Sequence, residues 1–173
     1  MKKEYIKVTE EKLRQYFRDE KNIKIMRENI LVLEDKKSNL EDKIKNLNLN
    51  FDINIKANVI NGEISSTPNK NSYFEKSIIK QIEEIENLIQ NLDEDIKRQK
   101  NEILKLEIKN AKIQNVINTL NNNSFELLKS KYNKNTTEIE IAEKLNISVS
   151  QYHRNKKYIL NNIYNMLLMY GEV

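Results

Sequence analysis

From Ile23 to Phe51 the apolar residues recur in steps of three and four: Ile23, Met26, Ile30, Leu33, Leu40, Ile44, Leu47 and Phe51. One slot of the series is taken by Lys37, and the positions between are mostly Lys, Glu, Asp and Asn. This is a heptad seam. With the amphipathic pattern that begins at Thr9, it predicts a helix over residues 9–49. A second seam passes through Ile78, Ile82, Ile85, Ile89, Leu92, Ile96, Ile103, Leu106, Ile113, Ile117 and Leu120 and predicts a helix over 73–120. Gln99 and Asn110 interrupt it at core slots. A helix with a single apolar stripe must bury that stripe against another element. Two such helices of similar length are expected to fold back as an antiparallel coiled-coil hairpin. Pairing between two chains would satisfy the same pattern, with Lys37, Gln99 and Asn110 setting register or partner number.

Between the seams the pattern dissolves in "DINIKANVINGEISSTPNKNS", residues 52–72. Gly62, Pro68 and the Ser and Asn residues predict a polar loop, and the alternation of Ile53, Ile55, Ala57 and Val59 leaves room for a brief extended piece. After the second seam "NNNS" breaks the chain at Asn121–Ser124. Ser124 is expected to cap a short helix from Phe125 to Tyr132, which turns Phe125, Leu127, Leu128 and Tyr132 inward, and "NKNTT" ends it. The reading is all-α: residues 1–123 a coiled-coil module with its loop at 52–72, and residues 124–173 a small compact one.

The stretch "TEIEIAEKLNISVSQYHRNKKYIL" is more specific. Thr137 and Glu140 have the spacing of a capping box that opens a helix over Glu138–Leu145. Within it Ile141, Ala142 and Leu145 share a face, and the small Ala142 lets a second helix cross closely. Asn146 tolerates the left-handed backbone of a sharp turn, Ile147 plugs that turn, and Ser148 caps a following helix. Tyr152 then falls where the second helix must face the first. Capped helix, tight turn, plug, cap and inward residue follow one another at helix-turn-helix spacing. With Tyr152, Ile159 and Ile163 inward, Ser150, Gln151, His153, Arg154 and Lys157 point away from the core. Arg, Gln and His side chains hydrogen-bond base edges, whereas Lys and hydroxyl groups suit phosphates. The candidate DNA contacts are therefore Thr137, Ser148, Val149, Ser150, Gln151, His153, Arg154, Lys156 and Lys157, with residues 149–160 as the recognition helix. Asn155 is polar where such a helix normally turns an apolar residue inward.

Composition narrows the choice further. Two Gly and one Pro in 173 residues leave few turns, which favours long helices over a multi-stranded sheet. The net charge of +4 says little by itself. Its distribution says more, because Asn146 to Leu160 holds three positive charges and no negative one. The absence of Cys fits a reducing cytoplasm, the start "MKKEYIKVTEEK" lacks the apolar run of a signal peptide, and no apolar run of about 18 residues marks a membrane span. The expected location is the cytoplasm, near the nucleoid, with no membrane partner. There is no nucleophile–base pair, no Gly-rich phosphate loop and no metal constellation, so neither catalysis nor a cofactor is expected. The lone His153 makes a poor metal site. Asp93, Glu94 and Asp95 lack a calcium-loop spacing.

The run "LLKSKYNKNTTEIEIAEKLNISVSQYHRNKKYIL" resembles the DNA-binding region 4 of bacterial sigma factors. With its two heptad helices around a polar loop, the whole chain resembles phage late-gene transcriptional regulators of the ArpU/RinA type. That resemblance implies a positive regulator of phage or prophage late operons. It would bind double-stranded DNA near a promoter, its coiled coil serving homodimerisation or contact with RNA polymerase. Two other functions share parts of the pattern. A phage small terminase carries a helix-turn-helix and a coiled coil but forms a large ring, and a spacer protein would use the C-terminal bundle only for docking.

Overall fold

The computed structural model describes the backbone of residues 4–60 and 68–171, and the side chains of residues 4–49, 73 and 75–171. Every element among them is a helix: α1 (Glu4–Ile60), α2 (Pro68–Asn118), α3 (Asn122–Leu128), α4 (Glu138–Lys144) and α5 (Val149–Met169), with a wide π-turn over Lys129–Asn133 extending α3. The all-α expectation holds.

α1 exceeds its expected bounds at both ends, and α2 starts five residues earlier than expected and stops at Asn118, two short of Leu120. α1 runs on to Ile60, so the backbone of 52–60 is helical where a loop and a brief extended piece were expected. The physical reason is plain in the residues: no Gly or Pro interrupts the chain until Gly62, and without a breaker each added residue continues the helix cheaply. Pro68 is the first residue of α2, a position where its missing N–H costs nothing and its fixed φ suits the helix. The rest of the expected loop, 61–67, lies outside the described residues.

Compactness divides the chain into Met26–Asn101 and a unit built from Met1–Ile25 and Glu102–Val173. This differs from the expected boundary at 123/124, because the start of α1 and the end of α2 share a core with the C-terminal helices. In the first unit, α1 and α2 run antiparallel along their seams. Ile30, Ile78 and Ile96 are buried, and Leu33, Leu40, Ile44, Ile82, Ile85, Ile89 and Leu92 are half-covered. Lys37, at its seam slot, reaches across to Asp93 at 2.7 Å, and Glu34 pairs with Lys100 at 2.9 Å. These ion pairs link the two helices of one chain in antiparallel register. Gln99 sits in the seam with its Oε1 buried and unpartnered among the described residues.

In the second unit Leu13, Tyr16 and Phe17 of α1 and Ile113, Val116 and Ile117 of α2 meet Leu127, Leu128, Tyr132, Ile141, Tyr152, Ile159, Leu160, Ile163 and Leu167 in one core. Asp19, almost fully buried, accepts from Gln15 at 2.6 Å and from Lys109 at 2.9 Å, which compensates its charge. Tyr16 donates to Gln114, and burial pushes its phenol up to about 12. The short helix here starts earlier than expected. Asn121, not Ser124, is its N-cap, its side chain accepting the Ser124 N–H. Its end opens into the π-turn, with Lys134 N–H reaching Lys129 O and Ser130 and Tyr132 buried.

Candidate nucleic-acid interface

The helix-turn-helix is built from local rules that the residues obey closely. Thr137 and Glu140 form the capping box, backbone N–H groups of both being satisfied by the other's side chain. That bonding holds the Glu140 carboxyl below the usual carboxylate range. At the far end Ile147 N–H donates to Ala142 O at 2.9 Å and Asn146 N–H to Glu143 O at 3.0 Å, the paired bonds of a left-handed helix stop. Asn146 carries the required positive φ of 52°, in the place where glycine is commonest. Ser148 then opens α5 with a second capping box, to Gln151. Ala142 is buried, which permits the close crossing, and Tyr152 is wholly buried beneath α4.

α5 consequently has a core side and a free side. Tyr152, Ile159, Leu160, Ile163 and Leu167 occupy the first. On the second, Val149, His153 and Lys157 form a row at i, i+4 spacing, and Ser150 and Arg154 form another beside it, all exposed. Arg154 and Lys157 make no ion pair with any described residue. His153 lies 3.6 Å from Glu138.

The nine candidate contacts therefore separate into groups. Val149, Ser150, His153, Arg154 and Lys157 share the free side of α5. The side chains of Thr137, Ser148 and Gln151, though exposed, are engaged in the capping boxes, so Gln151 does not project freely as expected. Lys156 is turned inward, only 18% of its side chain exposed, and its Nζ stands 2.9 Å from Glu10 and 3.8 Å from Glu138.

Asn155, the polar residue at an expected inward position, is exposed. It lines an open cleft of about 300 Å³ with Asn121, Ser124, Leu145 and Tyr158. A polar side chain is tolerated there because the cleft admits water. Two further residues belong to this region. Tyr158 is 68% exposed and one turn beyond Arg154 on the free side, a place its i+4 spacing gives away. Glu10 is far from α5 in sequence, and no local signal pointed to it.

Burial alone would raise the Glu10 carboxyl, but hydrogen bonds from Lys156 and Tyr132 outweigh it and hold the group below its ordinary value. Tyr132 donates to Glu10 at 2.9 Å, and burial, reinforced by that carboxylate, drives its own phenol well up. The buried hydroxyl of Tyr152 has no well-formed hydrogen bond among the described residues. Burial, then the charges of Glu138 and Glu10, raise it too. Among the described residues no group of His, Cys, Asp or Glu could hold a metal, and no helix is long and apolar enough to cross a membrane.

Comparison with protein families, characterised proteins and solved structures finds no match to this chain.

Proposed function

We propose that the protein is a double-stranded-DNA-binding transcriptional regulator that inserts α5 into the major groove, through Val149, Ser150, His153, Arg154 and Lys157. The observation carrying this reading is the two-sided α5, whose anchor Tyr152 is wholly buried while two basic residues on its opposite side are exposed and, among the described residues, without an ion-pair partner. Arg154 is suited to a base edge and Lys157 to a phosphate. Two such cations on one copy give weak, salt-sensitive binding, so a second copy or RNA polymerase would strengthen the complex. The resemblance to ArpU/RinA-type regulators supports a role as a positive regulator of phage or prophage late genes, in the cytoplasm at the nucleoid.

The test is recovery of genomic duplex fragments by the purified chain, followed by titration of the enriched fragment. Changing Arg154 and Lys157 to Ala together should weaken binding at least several-fold and lower the slope of log affinity against log salt by about one, the phosphate contact of Lys157. Equal recovery of random fragments by the double variant and the unaltered chain would refute the proposal. A large ring in solution would redirect it towards a small terminase.

A further inference from the structure

Lys156 belongs to the basic run of α5, yet it points away from the exposed side. Its ammonium is shared by two carboxylates from different parts of the chain. Glu10, in the second turn of α1, lies at 2.9 Å, and Glu138, in the first turn of α4, at 3.8 Å. Glu10 also accepts from Tyr132 of the π-turn, and Glu138 stands 3.5 Å from Lys131. Both ends of the Lys156–Glu10 pair are about four-fifths covered, at 18% and 20% exposure. An ion pair so covered is screened far less than the surface pairs elsewhere on these helices, and losing one partner strands the other. Carboxylates of α1 and α4 thus converge on one amine of α5, with the π-turn bracing both of them, one turn beyond Tyr152 on the helix that the proposed function places in the groove.

We infer that Lys156 is a positioning residue rather than a DNA ligand, and that through Glu10 the first turns of α1 set the angle at which the free side of α5 meets a duplex. The inference rests on the DNA-binding reading for its consequence, and on geometry for the clamp itself. Tyr152 fixes how deeply α5 sits. Ile159, Leu160, Ile163 and Leu167 anchor the later turns in the same core, and the Lys156 clamp ties the first turns of α5, the ones that carry the free side, to α1 and α4. The helical segment that completes the DNA-binding head therefore comes from the opposite end of the sequence.

The experiment uses the full chain and the duplex fragment enriched from genomic DNA, with three variants: Lys156→Met, Glu10→Gln and Lys156→Arg. Lys156→Met and Glu10→Gln should each weaken binding about tenfold without changing the salt slope, since neither touches a phosphate. Lys156→Arg, which can still pair with Glu10, should bind within about twofold of the unaltered chain. A salt slope lowered by about one in Lys156→Met, together with undiminished binding by Glu10→Gln, would make Lys156 an ordinary phosphate contact and overturn the inference. Unaltered binding by both would overturn it as well. Should the unaltered chain ignore duplex DNA at low ionic strength, the proposed function falls, and thermal melting of the same variants decides the clamp. The Lys156→Met, Glu10→Gln double variant should melt no lower than the worse single one, whereas additive losses would mean the two groups do not act as a pair.

Discussion

Residues 26–101 and the unit formed by 1–25 and 102–173 are made from the same two long helices, yet they hold themselves together differently. In the first, two helices share one seam, and most seam residues stay half-covered. Two cylinders in contact can shield only a strip of each other. In the second, five helices close around Leu13, Leu128, Tyr152 and Ile163, each at 0% exposure. The polar groups follow the same division. Lys37 in the paired helices keeps its ammonium near water and reaches Asp93 at the edge, whereas Asp19 in the head is covered and depends on Gln15 and Lys109. A two-helix stretch forgives a lysine in its seam, but an enclosed core must compensate every charge it takes in.

The sharpest way to break this contrast is to remove the anchor of the head. Tyr152→Ala should cost about 3–5 kcal/mol, as expected for a fully buried aromatic residue, measured by denaturant unfolding, and should abolish any duplex binding. Paired truncations refine it. Ile163→Ala in the head should cost about 3 kcal/mol and Ile89→Ala in the half-covered seam only about 1 kcal/mol, so equal losses would contradict the difference in enclosure. Next come the caps. Thr137→Ala and Ser148→Ala should each lower stability by about 1 kcal/mol, with the melting transition of the paired helices unaffected.

The smallest effect expected is that of acid. The Glu10 carboxyl is held below its ordinary 4.5, so its contribution is complete above that pH and disappears as pH falls through the lowered value. The melting temperatures of the unaltered chain and of Glu10→Gln should therefore differ at neutral pH and converge in acid. A gap that persists at low pH would show that Glu10 matters through packing instead of charge.

How much the sequence revealed varied with the range of the interaction. The seams were read residue by residue, because the step of three and four reports directly which side of a helix is covered: Lys37 and Gln99 occupy seam slots as expected. The helix-turn-helix was equally legible. Thr137, Asn146 and Ser148 act through backbone groups within five residues, and such groups obey local stereochemistry. Asn121 was misjudged in favour of Ser124, since both can cap and only the backbone angles choose between them. At 52–60 the Asn residues and the alternation of Ile53, Ile55 and Val59 suggest an interruption that, without Gly or Pro, does not come.

By itself the sequence determined the helical class, the register of each stripe, and the capped turn between α4 and α5, all consequences of periodicity and near-neighbour bonding. Only the tertiary structure decided which lysines of α5 face solvent and that the head includes the first turns of α1. It also decided that Glu10 and Lys156 meet across most of the chain's length. Those outcomes depend on where covered charges find partners, and a carboxylate far away in sequence leaves no periodic trace of the ammonium it will hold.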